Sequence, residues 1–243
     1  MNHGRTIVVG DVHGCRAELD ALLDRLAFTT GDRLVFVGDL VSRGPDSLGV
    51  IAIARRTGAH LVLGNHEAKL VAWRRAKPEK RKDLTISKHH AQVAEGLSES
   101  DWALLLNAPL WLDFPEHDLR VVHAGVVPGV PMEKQLEKNL LHMRCLTAQG
   151  DASDEKWSHA PLWGTQYVGG PHIVFGHNAM SAVQLHPWAT GIDTGCVYGG
   201  ALTALVLHAE ERVPRGSAVR ELLHQQRAFA VHFEPGKVPV PKA

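Results

Sequence analysis

Short runs of β-branched and other apolar residues recur along the chain, and several of them end at a polar residue. Apolar runs of this length predict buried β-strands. The predicted strands are Thr6 to Gly10, Arg33 to Gly38, His60 to Gly64, Leu119 to Val122, His172 to Gly176, Ala201 to Leu207 and Ala228 to Phe233.

Between these strands, apolar residues recur with the period of an α-helix, which places them on one face that packs against a sheet. The predicted helices contain Leu19, Leu22, Leu23 and Leu26, then Leu48 to Arg56, then Glu67 to Lys77, and finally a segment that begins at a capping-box pattern of Ser98 and Asp101 and stops before Pro109. The alternation of strands and helices predicts an α/β fold. Because no repeat or linker divides the pattern, we predict one domain over residues 1–234 and a frayed tail over 235–243.

Five polar clusters follow the ends of predicted strands, at the edge where open α/β sheets form their ligand crevice. The clusters are Gly10 to Gly14, Gly38 to Gly44, Gly64 to Glu67, His123 to Gly125, and the pair Gly176 and His177. Each cluster alone has an ordinary explanation, such as a turn, a helix cap or a buried structural histidine. However, Asp11, Asp39 and Asn65 are separated by 28 and 26 residues, the spacing of successive strand–helix units, and this order favours one shared site.

The side chains of these clusters form a mixed set of oxygen and nitrogen donors. The six candidate metal ligands are Asp11, His13, Asp39, Asn65, His123 and His177. Mixed sets of this kind suit Mn, Fe, Zn or Co better than Ca or Mg, which prefer oxygen alone. Six ligands are too many for one metal with an open position, and they suit two.

Three segments carry a resemblance to a known family: Gly38 to Pro45, Asp193 to Gly200, and His142 to Cys145. With them, the chain resembles the calcineurin-like metallophosphoesterases, in particular their phosphoprotein-phosphatase branch and, within it, the bacterial symmetrical diadenosine tetraphosphate hydrolases. The resemblance runs from Asp11 to about Leu207. It implies a two-sheet β-sandwich flanked by helices, in four α/β/β/α layers, with a dinuclear metal site at the strand ends.

The resemblance also implies how the ligands divide between two divalent metal ions, for which Mn²⁺ is the first expectation and Co²⁺, Fe or Zn²⁺ the alternatives. One ion would be held by Asp11, His13 and Asp39. The other would be held by Asp39, Asn65, His123 and His177, so Asp39 would bridge the pair. Two such ions can clamp the attacking and leaving oxygens of an in-line displacement.

Further roles follow from the same resemblance. Arg43 and Arg144 would grip phosphate oxygens, although Arg144 could equally be a surface arginine. His66 would donate a proton to the leaving oxygen. Tyr198 would stack on adenine or reach a phosphate, unless it packs against the second sheet. The protein-phosphatase members usually carry Asp where this chain has Ser42, and that difference favours a phosphoanhydride substrate, whose leaving group needs less protonation.

Composition narrows the class of protein. Twenty-six Lys and Arg balance twenty-six Asp and Glu, which argues against a general binder of nucleic acid or of membrane surfaces. No apolar run reaches the length of a membrane helix or of a signal-peptide core, so we expect a cytoplasmic protein. The three cysteines, Cys15, Cys145 and Cys196, form no paired motif, and we expect them to behave as small buried apolar residues.

The sequence therefore predicts a hydrolase that cuts diadenosine tetraphosphate into two ADP. A Ser/Thr or Tyr phosphoprotein phosphatase is the alternative. A non-catalytic scaffold would be expected to lack some of the ligands or His66, which are all present. The segment from Arg74 to Lys88 carries seven Lys or Arg against two acids. It is either a solvated surface or a cationic rim for a polyanion such as a nucleotide-capped RNA end. The oligomeric state stays open.

Overall fold

The computed structural model describes residues 4–81, 84, 86–155 and 160–234. The predicted tail over 235–243 lies outside these residues. Within them, the strands are β1 (Arg5–Val9), β2 (Arg33–Phe36), β3 (His60–Leu61), β4 (Trp111–Phe114), β5 (Leu119–Val122), β6 (Cys145–Leu146), β7 (Ala152–Ser153), β8 (His172–Phe175), β9 (Gln184–Leu185), β10 (Ala189–Gly191), β11 (Asp193–Thr194), β12 (Ala201–His208) and β13 (Leu223–Arg227).

Helices connect most of these strands. The α-helices are α1 (Arg16–Arg25), α2 (Ser47–Arg56), α3 (Asn65–Arg75), α4 (Pro78–Arg81), α5 (Lys88–Gly96), α6 (Glu99–Leu106) and α7 (Glu137–His142), with 3₁₀ helices at Pro115–His117, Met132–Lys134, Trp163–Thr165, Cys196–Tyr198 and Gly216–Leu222. The predicted capping box is confirmed, because Ser98 and Asp101 each accept a hydrogen bond from the other's main-chain N–H.

The strands form two mixed sheets and a separate hairpin. The first sheet has the order β11-β12-β1-β2-β3, with β13 also paired to β12, and the second has the order β4-β5-β8-β10-β9. Strands β1, β2 and β3 run parallel, as do β5, β8 and β10. Parallel neighbours bring their carboxyl ends to the same sheet edge, which is why polar residues far apart in sequence can meet there.

The alternation of side chains along β1 builds two of the three core layers. Ile7 and Val9 pack with the helices on the outer face of the first sheet. Val8 points to the other face and packs with Val121 and Val174 of the second sheet. A third core, around Trp163, lies with α7 on the outer face of the second sheet. Two sheets packed face to face between flanking helices confirm the predicted sandwich.

One predicted strand is wrong. Ala228 to Phe233 forms no strand, and the strand in this part of the chain is β13, five residues earlier. The polar sequence of β13 pairs with β12 through main-chain hydrogen bonds, which an apolar-run criterion does not detect. Phe229 and Val231 are instead 62% and 58% exposed. Among the described residues, no helix is long and apolar enough to cross a membrane.

Candidate metal centre

The ends of β1, β2, β3, β5 and β8 converge, and two glycines allow the approach. Gly38 has φ 97°, and a Cβ there would lie 2.7 Å from the Cα of Gly64 and 2.9 Å from Nδ1 of His123. A Cβ on Gly64 would lie 2.4 Å from Oδ1 of Asp39. Side chains at these positions would push the strand-end loops apart, so glycine is required for the cluster to close.

The carboxylate of Asp39 lies at the centre of the cluster and is 2% exposed. Its Oδ2 is 3.5 Å from Nε2 of His13 and 4.0 Å from Nε2 of His66, and its Oδ1 is 3.5 Å from Nε2 of His123. Asp39 thus belongs to two groups of close donor atoms, one with His13 and His66 and the other with His123 and His177. Two groups that share one carboxylate match the geometry expected of a bridging ligand.

In the group with His123 and His177, the lone pairs of one ring nitrogen of each histidine point toward Asn65. Nε2 of His123 and Nδ1 of His177 lie 3.0 and 3.1 Å from Oδ1 of Asn65. The other ring nitrogen of His123 faces the carbonyl of Val37 at 2.9 Å, and that of His177 faces the carbonyl of His142 at 3.1 Å. Each outer nitrogen therefore carries the proton, which leaves the inner nitrogens as acceptors. Three acceptor atoms facing one another fit a cation between them.

The first group is arranged in the same way around His13. Nδ1 of His13 faces the carbonyl of Val41 at 3.1 Å, which orients the ring. Its Nε2 accepts a hydrogen bond of 2.6 Å from Nη1 of Arg43. Asp11 is not in either histidine–aspartate group of close donor atoms. Its two oxygens accept the main-chain N–H of His177, each at 3.1 Å, and the charges of Asp39 and Arg43 also act on it, so it lies at the edge of the centre.

The electrostatics of the cluster favour a cation. Burial, together with the charges of Asp193 and Asp39, raises the pKa of Asp11 well above its usual range. Burial also lowers the pKa of His13 to about 4 and that of His177 to about 2, so both rings are neutral at pH 7. Neutral imidazoles beside crowded carboxylates are the donor set that divalent transition metals bind. The residues present therefore fit metal ions.

Glu67 supports the Asp39 loop, a role that the sequence analysis did not assign. Its carboxylate is fully buried and accepts the N–H groups of Asp39, Leu40 and Val41 at 2.8, 2.9 and 3.1 Å. Burial and the charge of Asp39 raise its pKa to about 8, whereas the main-chain N–H groups favour the ionised form. In the sequence, the signal for this role was the position of Glu67 directly after Asn65 and His66.

His90 is a second residue that the sequence did not point to. Its ring is 3% exposed and stacks on the ring of His66, with centroids 5.0 Å apart and planes inclined by 16°. Nδ1 of His90 lies 2.7 Å from Oγ of Ser87 and 3.5 Å from Oγ of Ser42. Among the described residues, Nδ1 of His66 and Nε2 of His90 have no hydrogen-bond partner. No local pattern links residues 66 and 90, so only the packing of α5 on α3 reveals the pair.

Arg43 lies between the first metal group and an aromatic wall. Its guanidinium is 5.6 Å from the ring centroids of both Tyr198 and Phe233. Tyr198 belongs to the core on the helix side of the first sheet, so the alternative that it packs against the second sheet is wrong. Arg144 is half-buried, its Nη1 donates to the carbonyl of Asp154, and its Nε has no partner among the described residues.

Positive φ angles concentrate in the centre. In the part of the chain that the structure describes, eight non-glycine residues have positive φ. Five of them are His13, Asp39, Ser42, Arg43 and His177, at 47°, 52°, 75°, 71° and 64°. Non-glycine residues adopt this region at a cost, and such positions cluster at functional sites. The strained loops turn these side chains inward from the strand ends.

The family model described as calcineurin-like phosphoesterase matches residues 4–207 of the chain. A protein from Halalkalibacterium halodurans, named asymmetrical bis(5'-nucleosyl)-tetraphosphatase PrpE, is 33% identical over 221 residues, with 82% of this chain and 88% of that protein covered. A symmetrical bis(5'-nucleosyl)-tetraphosphatase from Chromohalobacter salexigens is 33% identical over 265 residues, with 85% and 96% covered.

Solved structures also resemble this chain. A candidate diadenosine tetraphosphatase superposes with a TM-score of 0.76 at 36% identity, over 93% of this chain and 95% of the other. A protein serine/threonine phosphatase from Saccharomyces cerevisiae shares the fold, with a TM-score of 0.58 at 15% identity, over 97% and 82%. The sheet order, the strand-end cluster and the match over residues 4–207 together show that the chain belongs to the calcineurin-like phosphoesterase family.

Proposed function

We propose that this protein is a dinuclear metal phosphohydrolase that cleaves diadenosine tetraphosphate symmetrically, giving two ADP. The observation that carries the proposal is the pair of donor groups that share Asp39. The relatives named as tetraphosphatases support the substrate class, and they include both symmetrical and asymmetrical enzymes. Of these two outcomes, we propose the symmetrical one on the resemblance carried by Gly38 to Pro45 and Asp193 to Gly200.

Six residues would hold the two ions. Asp11, His13 and Asp39 would bind one, and Asp39, Asn65, His123 and His177 would bind the other. When bound, such ions neutralise phosphate charge and activate a water molecule near neutral pH. Mn²⁺ is the proposed metal, and Co²⁺, Fe or Zn²⁺ also suit this mixture of nitrogen and oxygen donors.

Two arginines would orient the polyphosphate. The planar guanidinium of Arg43 is already in contact with the centre through His13, and it can form two parallel hydrogen bonds to phosphate oxygens. The charge of Arg144 contributes to lowering the pKa of His177, which supports a role for this arginine beside the second donor group. A cavity of about 260 Å³ beside Arg43 is lined in part by Gln92 and His89, and it offers space for one end of an extended substrate.

His66 would donate the proton to the leaving oxygen. Burial lowers its pKa to about 2, and the charge of Asp39 opposes this effect. An incoming polyphosphate adds negative charge close to the ring, which favours the protonated form. The ring is held by His90 on one face and meets His13 edge-on at 4.8 Å. It is therefore oriented before substrate binds.

Ser42 bears on the choice of substrate. A serine hydroxyl carries no negative charge that could hold a proton on His66. In addition, the hydroxyl of Ser42 faces His90 rather than His66. A phosphoanhydride releases a nucleotide phosphate, which needs less protonation than the alkoxide of a phosphoserine. This difference supports a nucleotide polyphosphate substrate over a phosphoprotein substrate. The yeast phosphatase shares only the fold with this chain, so it is no argument for a phosphoprotein substrate.

The basic segment from Arg74 to Lys88 adds little support for an RNA substrate. Arg74 pairs with Glu99 at 2.6 Å and stacks on Trp102, while Arg81 stacks on Trp73 at 4.6 Å. These arginines contact the protein's own surface. Residues 82, 83 and 85 lie outside the described part of the chain.

Product analysis tests the proposal. The protein is incubated with diadenosine tetraphosphate or a phosphoserine peptide in the presence of Mn²⁺, with Asp39→Asn as the matched control for contaminating activity. We expect ADP as the nucleotide product. Equal amounts of AMP and ATP would refute symmetrical cleavage, but they would still support a dinucleoside tetraphosphate as the substrate. Turnover of the peptide without turnover of the nucleotide would refute the proposal in favour of a phosphoprotein phosphatase.

A further inference from the structure

A second cluster of potential metal ligands lies on the helix side of the first sheet, apart from the Asp39 centre. Cys15 is the N-cap residue of α1, and Glu18 follows one turn later. Cys196 begins the 3₁₀ helix after β11, and His232 comes from the segment that follows β13. Three distant parts of the chain thus bring two thiols, a carboxylate and an imidazole together.

The contacts within the cluster are close. Nε2 of His232 lies 2.8 Å from Oε1 of Glu18, and the main-chain N–H of Phe229 donates to the same oxygen at 3.0 Å. The donor atoms of Cys15, Glu18 and His232 all lie within 4.8 Å of one another. Cys196 lies beside this group, since the thiol of Cys15 raises its pKa, but its sulfur is not one of the close donor atoms.

Burial makes the composition of this cluster unusual. Cys15, Glu18 and Cys196 are at most 1% exposed, and the side chain of His232 is 19% exposed. Carboxylates are almost never fully buried unless they are paired or bind a metal. Glu18 meets no Lys or Arg within ion-pair distance among the described residues, and its one ion-pair partner is the imidazole of His232. A divalent cation would neutralise this carboxylate more completely than an imidazole does.

We propose that Cys15, Glu18 and His232 bind a zinc ion. One sulfur, one nitrogen and one oxygen fill three positions of a tetrahedron and leave the fourth to water, and a sulfur ligand favours zinc over magnesium or calcium. Zinc bonds of about 2.0–2.3 Å place the ligand atoms of a tetrahedron roughly 3.3–3.8 Å apart. The donor atoms of this cluster are comparably close, from 2.8 Å between Glu18 and His232 to at most 4.8 Å. Binding releases the thiol proton of Cys15, and the bound ion faces one thiolate and one carboxylate.

The site would fasten α1 to one side of the aromatic wall beside Arg43. The residue after His232 is Phe233, whose ring lies 5.6 Å from the guanidinium of Arg43. The other ring of the wall, that of Tyr198, lies at the same distance. A zinc ion bound to Cys15 and Glu18 of α1 would therefore hold the Phe233 side of the wall in place.

Cobalt substitution tests the site without measuring turnover, so its outcome does not depend on the proposed hydrolase activity. The protein is reduced, stripped of metal with a chelator and reconstituted with Co²⁺. Thiolate bound to Co²⁺ gives a charge-transfer absorption band in the near ultraviolet, and the Asp39 centre has no sulfur ligand that could produce it. We expect the band in the wild type and in Cys145→Ser, the matched control, whose thiol instead faces the carbonyl of Glu155. We expect its loss in Cys15→Ser.

Metal counting gives the second measurement. Reconstitution with zinc should leave His232→Ala with one equivalent fewer than the wild type, while circular dichroism shows the fold unchanged. His232 is the most exposed of the three ligands, so this variant remains informative if the buried Cys15 variant does not fold. Equal zinc content in both proteins, or absence of the cobalt band from the wild type, would overturn the proposal. A count of one free thiol instead of three in the unreduced, denatured protein would also overturn it, because Cys15 and Cys196 would then form a disulfide.

Discussion

Replacing Glu67 with Gln tests whether a buried carboxylate holds the Asp39 loop. The substitution keeps the shape of the side chain and exchanges one oxygen for an NH₂ group. If the remaining oxygen keeps the N–H groups of Leu40 and Val41, the new NH₂ group faces the N–H of Asp39, which loses its acceptor. A lost hydrogen bond to a charged group and a buried unpaired N–H together predict a loss of about 2–4 kcal/mol in the free energy of unfolding.

For a chain of this length, the loss corresponds to a fall in Tm of about 5–15 °C. Differential scanning calorimetry measures it, with Glu95→Gln on the exposed surface of α5 as the matched control. The hydrogen bonds from Glu67 hold the loop in which Asp39 has φ 52°. Glu67→Gln should therefore also bind less metal per chain, as measured by elemental analysis. Metal content in Glu95→Gln should equal that of the wild type.

An unchanged Tm at pH 7 would refute the reasoning. Burial and the charge of Asp39 raise the pKa of Glu67 to about 8. A carboxyl group with a pKa raised by folding costs the wild type stability as the pH rises from about 4 to 8, and the amide of Gln carries no such cost. If this effect dominates, the variant will be at least as stable as the wild type at both pH 7 and pH 9. If the three N–H groups hold Glu67 ionised, the variant will be less stable at both values, so scans at pH 7 and pH 9 separate the two outcomes.

Five substitutions at four positions probe the centre and the core. Asp39→Asn should lose both metal ions and turnover, and two tightly held equivalents by elemental analysis would rule out a bridging role. His66→Gln should keep the metals and slow turnover by roughly 10²–10⁴-fold, with a smaller loss for aryl phosphates that have good leaving groups. His90→Phe should retain most of kcat because it preserves the stacked ring, whereas His90→Ala should lower kcat with little change in KM. Burial lowers the pKa of His172 to about 4, so the unfolded chain binds more protons between pH 6.5 and 4 and stability falls as the pH drops; His172→Gln should remove up to about 3 kcal/mol of that loss in urea titrations.

Local patterns were enough to place most elements and the candidate ligands. The continuous burial of Thr6 to Gly10, and the equivalent runs before Asp39 and Asn65, reflect apolar runs that each segment carries by itself. The capping box at Ser98 and Asp101 is likewise a contact between residues three apart. Because a polar residue after a buried parallel strand lies at the sheet edge whatever the packing details, the six candidate ligands could be named without a structure.

Contacts between distant segments required the tertiary structure. β13 is polar because it lies at a sheet edge, and its pairing with β12 depends on main-chain groups that every residue has. The stacking of His90 on His66 depends on how α5 packs against α3, and the meeting of Cys15 with Cys196 joins residues 181 apart in the chain. The sequence determines such contacts only through the whole fold, because no local period relates the partners. The family resemblance led to the expectation that Asp39 bridges two ions, whereas the support from Glu67 became visible only when the loops after β2 and β3 were seen together.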